Sequence, residues 1–366
     1  MSGLESVIEN YTVGWICALQ EEYDAACRML DVEFRPTPSG LEIGPRDDNT
    51  YDYGMINGHY VVITCLPSGR YGTVAAAITS KDMIRSFPRL QFILLVGIGG
   101  GAPTRERDIR LGDVVVSYPE GDLGGVVQFD LGKLHQVDGE ERRGSSLFKR
   151  TGHLNSPPSV LLEVMPRLLR SHEDATKADK LAEHIKLMDD MPSFRRPAQD
   201  QLYRSDYVHQ GAGNVKTCRN CDKGQTIARP SRAGNREFMI HHGIIGSSNT
   251  VMKNAVERDR YAKELNISCF EMEGAGLMNH LPSCLVIRGI CDYSDTHKND
   301  DWHNYAALTA AAYARELLFT LRPLAVRSPR PQAPQPPAQE VPSQPQPLLA
   351  PGLEDASQVS GCCRLQ

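Results

Sequence analysis

Several features that mark other protein classes are missing from this sequence of 366 residues. No apolar run approaches the roughly 20 residues that a membrane-spanning helix needs, which argues against an integral membrane protein. The net charge of −5 lacks the basic excess of a general nucleic-acid binder, so no nucleic-acid partner is expected. No internal period of 20 to 50 residues is visible, so a repeat architecture is not expected. No signal peptide precedes the first apolar segment, and we therefore expect a cytoplasmic protein.

Cysteine is present, but not in the pattern of a disulfide framework. Several of the ten cysteines, such as Cys17 and Cys65, lie in apolar segments, where free thiols behave as small hydrophobic side chains. A reducing compartment fits this distribution best. Residues 218–221 (Cys-Arg-Asn-Cys) have the spacing of half a zinc site, without a clear second half. His241 and His242 are candidates for that half, and an incidental pair of loop cysteines is the alternative.

The composition changes from about residue 323, after which ten prolines and several glutamines occur. Residues 323–366 are therefore predicted to form a disordered linker. Cys363 is the fourth residue from the end, as in a farnesyl C-a-a-X box, although Arg364 is not the usual aliphatic residue. Cys362 beside it is a candidate for palmitoylation. Two lipids would hold the protein on the cytoplasmic face of a membrane, and a tail without lipid is the alternative.

The remaining residues, 8–322, are long enough to form one large domain with a sizeable core. Apolar strands, glycine turns and alanine-rich helices follow one another, as at 74–77 (Val-Ala-Ala-Ala) and 306–312 (Ala-Ala-Leu-Thr-Ala-Ala-Ala). This succession predicts an α/β fold with three layers, α/β/α, around a mixed central sheet.

Two unlike carboxylates follow neighbouring apolar segments. Residues 269–276 (Cys-Phe-Glu-Met-Glu-Gly-Ala-Gly) turn from a short strand into small residues that open a helix. Residues 284–292 (Cys-Leu-Val-Ile-Arg-Gly-Ile-Cys-Asp) read as a buried strand that ends on an acid. Acids at strand ends often carry chemistry in α/β folds.

This pair of segments resembles the nucleoside phosphorylase and nucleosidase superfamily, which includes purine and uridine phosphorylases and methylthioadenosine/S-adenosylhomocysteine nucleosidases. The resemblance covers roughly residues 8–322. It implies that Met272 contacts the sugar and that Glu273 binds the ribose hydroxyls. It also implies that Asp292 protonates or hydrogen-bonds the purine N7, with Arg288 among the substrate contacts.

The chemistry explains why two acids are needed. Cleavage of an N-glycosidic bond builds positive charge on the sugar and negative charge on the base. One carboxylate must stay ionised while the other carries a proton, and burial and partner donors can separate the two pKa values.

A third acid follows the first apolar segment, residues 12–22 (Thr-Val-Gly-Trp-Ile-Cys-Ala-Leu-Gln-Glu-Glu). The counterpart of Glu22 in the nucleosidases activates the attacking water. The alternative is that Glu21 and Glu22 favour the positive end of a helix dipole.

Residues 92–103 (Phe-Ile-Leu-Leu-Val-Gly-Ile-Gly-Gly-Gly-Ala-Pro) pass from an apolar strand into glycines, and by resemblance Gly99 and Gly100 lie beneath the ribose. Glycines let backbone N–H groups approach an anion or a sugar closely. Phosphorylases of the superfamily have an arginine where this chain has Leu95 and a hydroxyl residue where it has Ile98. The missing phosphate ligands favour water as the nucleophile. Arg70 lies in a loop that faces the same pocket in the family; it is either a replacement anion ligand or a solvated loop arginine.

Residues 241–252 (His-His-Gly-Ile-Ile-Gly-Ser-Ser-Asn-Thr-Val-Met) correspond to the base-binding edge of the family. Val251 and Met252 would offer backbone hydrogen bonds and apolar surface to the purine, and Asn249 would organise the loop. Trp302 lies where nucleosidases have an aromatic lid, and a core position is the equal alternative.

A narrower resemblance is to the phosphorylase-like domains at the N-terminus of fungal NOD-like receptor proteins, some relatives of which cleave the glycosidic bond of ATP. The long insertion at about 120–240 is part of that pattern. It contains Arg229, Arg232 and Arg236, which are either a solvated loop face or a site for the 5′ phosphates of a nucleotide.

The sequence thus predicts an enzyme that hydrolyses the N-glycosidic bond of an adenine nucleoside or nucleotide. Phosphorolysis is the first alternative, and a catalytically silent nucleotide-sensing module is the second. No cofactor and no catalytic metal are expected. The expected partners are a small-molecule nucleoside or nucleotide, further copies of the chain and, through the tail, a membrane.

Overall fold

The longest strands are apolar runs with both faces covered. In chain order the strands are β1 (Val13–Cys17), β2 (Val32–Glu33), β3 (Asp52–Ile56), β4 (His59–Cys65), β5 (Phe92–Gly101), β6 (Val114–Ser117), β7 (Val126–Gln128), β8 (Gly132–Gln136), β9 (Ser146–Arg150), β10 (Ile240–Ser247), β11 (Ile267–Glu271) and β12 (Cys284–Asp292). Every residue of β1, β11 and β12 is buried. Continuous burial is typical of central strands in α/β sheets.

The helices are short except for two. They are α1 (Gln20–Arg28), α2 (Thr73–Ser86), α3 (Ser159–Leu162), α4 (Met165–Glu173), α5 (Lys180–Ile185), α6 (Ala255–Glu264) and α7 (His303–Thr320). Helix α7 is rich in alanine and buried over most of its length, which lets it pack closely on β5 and β12. None of these helices has the length and hydropathy to cross a membrane.

The computed structural model describes residues 7–35, 37–38, 41, 43–136, 146–173, 180–211, 217–232 and 237–323. All of them belong to one compact unit, Met1–Val326. The lipidation candidates Cys362 and Cys363 lie outside the described residues, and so does the predicted linker beyond Pro323.

The main sheet is mixed, as predicted. Its strand order is β11-β10-β6-β12-β5-β1-β4-β3-β2, with β7 paired to β10. Strand β1 is parallel to β4 and β5, and β12 is parallel to β5. Antiparallel pairs join β12 to β6 and β3 to β4. The carboxyl ends of β1, β5 and β12 therefore meet at one edge.

One part of the sheet closes on itself. The end of β11 pairs antiparallel with the end of β5, where Cys269 is opposite Gly101 and Phe270 opposite Gly100. Because β11 also pairs with β10, strands β5, β12, β6, β10 and β11 form a ring. Closure satisfies backbone groups that an open edge would expose.

Helices cover both faces of the sheet, which confirms the three-layer prediction. Leu94 and Val96 of β5 pack in one apolar cluster with residues of α1 and α7. Ile93 and Leu95, which point the other way, pack with α2. This alternation along a strand separates the two cores.

Candidate active site

A cavity of about 350 Å³ lies at the edge where β1, β5 and β12 end. The end of β11 closes one side, because that strand runs against the end of β5. Most of the predicted site residues line this cavity: Glu22, Gly99, Gly100, Val251, Met252, Met272, Glu273, Arg288 and Asp292. The cavity thus joins segments that are far apart in the chain.

Glu22 is held by backbone donors at the start of α1. Its Oε2 accepts hydrogen bonds from the N–H groups of Ala18 at 2.7 Å and Leu19 at 3.1 Å. Its Oε1 accepts one from the N–H of Ile98 on β5 at 2.8 Å. Burial raises the pKa of Glu22, although Arg288 and the backbone donors oppose that shift. These bonds fix the orientation of a buried carboxyl group on the cavity wall.

Because Gly97 has no side chain, the carboxylate of Glu22 and the guanidinium of Arg288 can approach β5 closely. A Cβ at this position would lie 2.6 Å from Arg288 Nη1 and closer still to the Glu22 carboxylate. A side chain here would force the charged groups apart, so the strand requires glycine at this close approach.

One buried arginine serves two buried glutamates. The Nη2 of Arg288, on β12, donates to Glu271 and, at 3.1 Å, to Glu273 Oε2. Glu271 also accepts from the N–H of Gly274 at 2.9 Å. Burial raises the pKa of Glu273, and the charges of Glu271 and Glu22 add to that effect while Arg288 opposes it. Three glutamates therefore share the charge of one guanidinium at this end of the cavity.

Asp292, at the end of β12, has a cation of its own. Burial alone would raise the pKa of Asp292, but the ammonium group of Lys298 beside it outweighs that effect, and the net pKa is lowered. The N–H of Ser294 at 2.7 Å and the Cys291 thiol at 3.0 Å also donate to this carboxylate. Lys298 therefore favours the ionised form of Asp292, and the proton of the pair lies on the ammonium group.

Apolar side chains form another part of the wall. Val251, Met252, Phe270 and Met272 line the cavity together with Tyr71. Such a surface suits a flat aromatic ring, whose faces are apolar and whose edges carry hydrogen-bonding groups.

Comparisons with known proteins bear on the fold. No family model matches the sequence. A nucleotide-binding leucine-rich repeat (NLR)-like protein of Hyaloscypha variabilis is 41% identical over 323 residues, which is 88% of this chain and 30% of the relative. The chain thus spans less than a third of that relative's length.

Among solved structures, the chain is similar to 5′-methylthioadenosine/S-adenosylhomocysteine nucleosidase from Neisseria meningitidis in complex with methylthio-immucillin-A. The TM-score is 0.51 and the identity 16%, covering 85% of this chain and 99% of that one. Futalosine hydrolase of Helicobacter pylori gives a TM-score of 0.49 at 16% identity, with 85% and 99% covered. The chain has the nucleoside phosphorylase/nucleosidase fold. The resemblance predicted from sequence is confirmed for the fold.

Three predicted site residues of this nucleosidase fold do not line the cavity. Trp302 is buried beside Tyr305, and its Nε1 donates to the carbonyl of Gln199 at 3.0 Å. Of the two alternatives for Trp302, the core position applies and the aromatic lid does not, because the indole turns into the core just before α7. The adjacent residue, His303, lines the cavity instead.

The other two are Arg70 and Asn249. Arg70 is exposed and outside the cavity lining, which corrects its prediction as a substrate contact; the neighbouring Tyr71 lines the cavity. Asn249 Oδ1 accepts from the N–H and the hydroxyl of Thr73, both at 3.0 Å. Asn249 thus ties its loop to the start of α2 and does not meet the cavity.

The arginines of the insertion have internal partners. Arg229 pairs with Asp200 at 2.8 Å, and Arg232 pairs with the buried Asp113. Because both side chains have internal partners, they do not form a solvated loop face. Because neither lines the cavity, they do not form the 5′ phosphate site either. Arg236 lies outside the described residues.

Sequence reasoning missed several residues of the cavity. Glu271 lies inside the segment that was singled out, but its partner Arg288 is on another strand. Lys298 and Ser294 follow Asp292 in a loop without periodic pattern, so no sequence signal marks them. Ser294 has a positive φ of 54°, a conformation rare outside glycine that aims its N–H at Asp292.

The histidines proposed as the second half of a zinc site lie elsewhere. His241 Nε2 is 2.9 Å from Asp113 Oδ2, and His242 Nε2 is 3.2 Å from the hydroxyl of Tyr313. That prediction is wrong, because β10 carries both rings away from Cys218 and Cys221.

Proposed function

We propose that this chain hydrolyses the N-glycosidic bond of an adenine nucleoside or nucleotide and releases adenine. The observation that carries the proposal is one cavity with Glu22, Glu273 and Asp292 on its wall, in unlike electrostatic surroundings. Burial raises the pKa of the two glutamates, whereas Lys298 lowers that of the aspartate. Unlike carboxyl groups are what cleavage between a sugar and a base requires.

The ribose is assigned to the end with Met272, Glu273 and Arg288. Glu273 would accept hydrogen bonds from the ribose hydroxyls, and the Arg288 pair keeps its oxygens in place. The nearby carboxylates would stabilise the positive charge that develops on the sugar as the bond to the base lengthens.

The base is assigned to the end with Asp292. When the bond between C1′ and N9 breaks, its electron pair leaves with the adenine, which takes a proton at N7. That proton would come from the Lys298 ammonium group, which donates to Asp292, and the Asp292 carboxyl group would pass it to N7. Ser294, whose buried hydroxyl has no partner among the described residues, is a further donor to the base.

Water is the proposed nucleophile. Glu22 would accept a proton from water as its oxygen bonds to C1′, which balances the proton given to the base; solvent restores both groups. Where phosphorylases need phosphate ligands, Leu95 is buried in the apolar core and Ile98 presents an aliphatic side chain to the cavity. An anion bound there would meet the Arg288 guanidinium, whose charge three glutamates already share.

The similar proteins support this substrate class. The nucleosidase from Neisseria meningitidis is named for methylthioadenosine and S-adenosylhomocysteine. The relative from Hyaloscypha variabilis is named for nucleotide binding.

The test is product analysis by chromatography. Purified full-length protein is incubated with ATP, AMP, adenosine and methylthioadenosine, each with and without inorganic phosphate. We expect free adenine from at least one substrate without phosphate, and ribose or its 5′ derivative as the second product. Adenine from ATP would identify a nucleotide nucleosidase, whereas adenine from the unphosphorylated substrates alone would identify a nucleoside enzyme. Release that requires phosphate and yields a sugar 1-phosphate would overturn hydrolysis.

A silent nucleotide-sensing module is the second candidate. It is favoured by the relative, in which a similar sequence belongs to an NLR-like protein more than three times as long as the matched part. Calorimetry that detects nucleotide binding without base release from any substrate would select this candidate.

Assembly with further copies of the chain is also proposed. Val74 and Ile78 are 69% and 59% exposed and lie one turn apart on α2, and Tyr71 at the cavity is 59% exposed. Such an apolar strip beside the cavity fits an interface between copies. Light scattering during size-exclusion chromatography should give a mass above 40.5 kDa.

A further inference from the structure

A second group of chemically distinctive side chains lies outside the cavity. Cys218 begins a short 3-10 helix, Cys218–Asn220, and Cys221 directly follows it, while His209 precedes both in the same insertion. The metal-binding atoms of these three residues all lie within 4.8 Å of one another. His297, from the loop after β12, places its Nδ1 at 3.6 Å from Cys218 Sγ and 3.7 Å from Cys221 Sγ.

The two separations between His297 and the cysteine sulfurs match a tetrahedral zinc site. Zinc binds thiolate sulfur at about 2.3 Å and imidazole nitrogen at about 2.0 Å, so tetrahedral angles place sulfur and nitrogen about 3.5 Å apart. Both cysteines are free thiols, and the two residues between them give the Cys-x-x-Cys spacing of zinc ligands. Two cysteines and two histidines are a common structural ligand set.

The other atoms of the histidine rings are already engaged. His297 Nε2 lies 3.2 Å from the carbonyl oxygen of Tyr207, and its ring stacks on Tyr203 with centroids 3.9 Å apart. His209 Nε2 lies 3.3 Å from the carbonyl oxygen of Thr217. Metal-bound histidines usually donate their second N–H to such an oxygen, which fixes the ring.

We propose that Cys218, Cys221, His209 and His297 bind a structural zinc ion. Four protein ligands leave no open position for a substrate, and none of the four lines the candidate active site. The ion joins the insertion to the loop after β12. Because Lys298 directly follows His297 and pairs with Asp292, the ion would act as a positioning element for the base end of the cavity.

The first test is metal analysis of the full-length protein, purified under reducing conditions without chelator. We expect inductively coupled plasma mass spectrometry to find about one zinc ion per chain. X-ray absorption at the zinc edge should fit two sulfur and two nitrogen ligands, and cobalt exchange should give thiolate charge-transfer bands. These readouts are independent of enzymatic activity.

Variants locate the site. Cys218→Ser and His297→Asn should lose bound zinc, whereas Cys27→Ser, which changes a half-buried cysteine near Asp52, should retain it. If the first two variants do not fold, loss of zinc is measured for His209→Asn, which changes a half-buried ligand. The X-ray absorption spectrum of the wild-type protein tests the ligand set without any variant.

Two results would overturn the proposal. One is wild-type protein with negligible zinc that also fails to gain thermal stability or a cobalt–thiolate band when metal is added. The other is a Cys218–Cys221 disulfide, found by alkylation and peptide mass analysis of protein kept reduced.

Discussion

The two charged ends of the cavity differ in how their acids are balanced. At the end assigned to the ribose in our proposal, the ribose end, three glutamates share one guanidinium, that of Arg288. At the end assigned to the base, the base end, the carboxylate of Asp292 pairs with the Lys298 ammonium group. All four acids are buried, yet burial raises the pKa of Glu22 and Glu273, whereas that of Asp292 falls. The supply of counter-charge, more than burial, decides which acid is ionised.

The largest effect is expected at the base end. Asp292→Asn keeps the shape of the side chain but removes its charge and its proton-transfer capacity. We expect turnover to fall about 10²–10⁴-fold with little change in KM. Steady-state kinetics with adenine detection measures both quantities. The control is Asp301→Asn, an exposed acid of the same loop, which should keep wild-type turnover. Equal turnover of the two variants would remove Asp292 from the mechanism.

At the ribose end, the sharpest change is to remove the shared cation. Arg288→Met leaves Glu271 and Glu273 buried without their partner, and we expect the free energy of unfolding to fall by about 3–5 kcal/mol. Urea denaturation followed by circular dichroism measures it. Arg260→Met breaks two exposed ion pairs on α6 and should cost less than about 1 kcal/mol. A small loss for Arg288→Met would mean that the glutamates are neutral in the folded protein.

The close approach at β5 connects Glu22 to this ribose end. Gly97→Ala would push a methyl group between Glu22 and Arg288, and we expect a loss of about 1–3 kcal/mol in unfolding free energy. Gly44→Ala meets no atom closer than 3.9 Å and should change stability by less than about 0.5 kcal/mol. Similar thermal denaturation of the two variants would show that the strand can shift to admit a side chain.

The smallest effect is expected in the pH dependence of kcat/KM, which should distinguish the acids at the two ends of the cavity. Glu22 and Glu273 must be ionised to act, and their raised pKa values mean that protonation begins above the ordinary value of 4.5. Activity should therefore fall as pH decreases through that range, with a logarithmic slope approaching two. Asp292, with its lowered pKa, stays ionised there and adds nothing.

Glu22→Gln tests this assignment. Its residual activity should show a slope of about one, because Glu273 alone still titrates. An unchanged slope of two would assign the acid limb to other groups.

Local sequence patterns predicted the strands and the acids that follow them. An apolar run that ends on an acid, as at Asp292, or on glycines, as at 99–101, indicates a strand of a parallel sheet even when its neighbouring strands are unknown. Glu22, Glu273 and Asp292 were predicted from the family resemblance that these segments carry, and their common cavity follows from the strand order.

Long-range partners could not be predicted in the same way. Arg288 pairs with Glu271 across strands, Lys298 folds back on Asp292 from an irregular loop, and Trp302 turns inward because of the core beneath it. The histidine partners of Cys218 and Cys221 were sought at His241 and His242, which are closer to the two cysteines in sequence than His297 is. Sequence distance gives no measure of spatial distance when a sheet joins residues far apart in the chain.

The closed ring of strands has a consequence for how this protein can change. Glu271, Asp292 and the glycines of β5 lie on strands of the ring, where a shift of one strand would disturb its neighbours on both sides. Tyr71, Val251, Met252 and His303 reach the same cavity from loops or from a helix terminus. Substitutions can therefore change the loop surface of the cavity while Glu271 and Asp292 stay in register, so that the proposed chemistry does not depend on which loop residues are present.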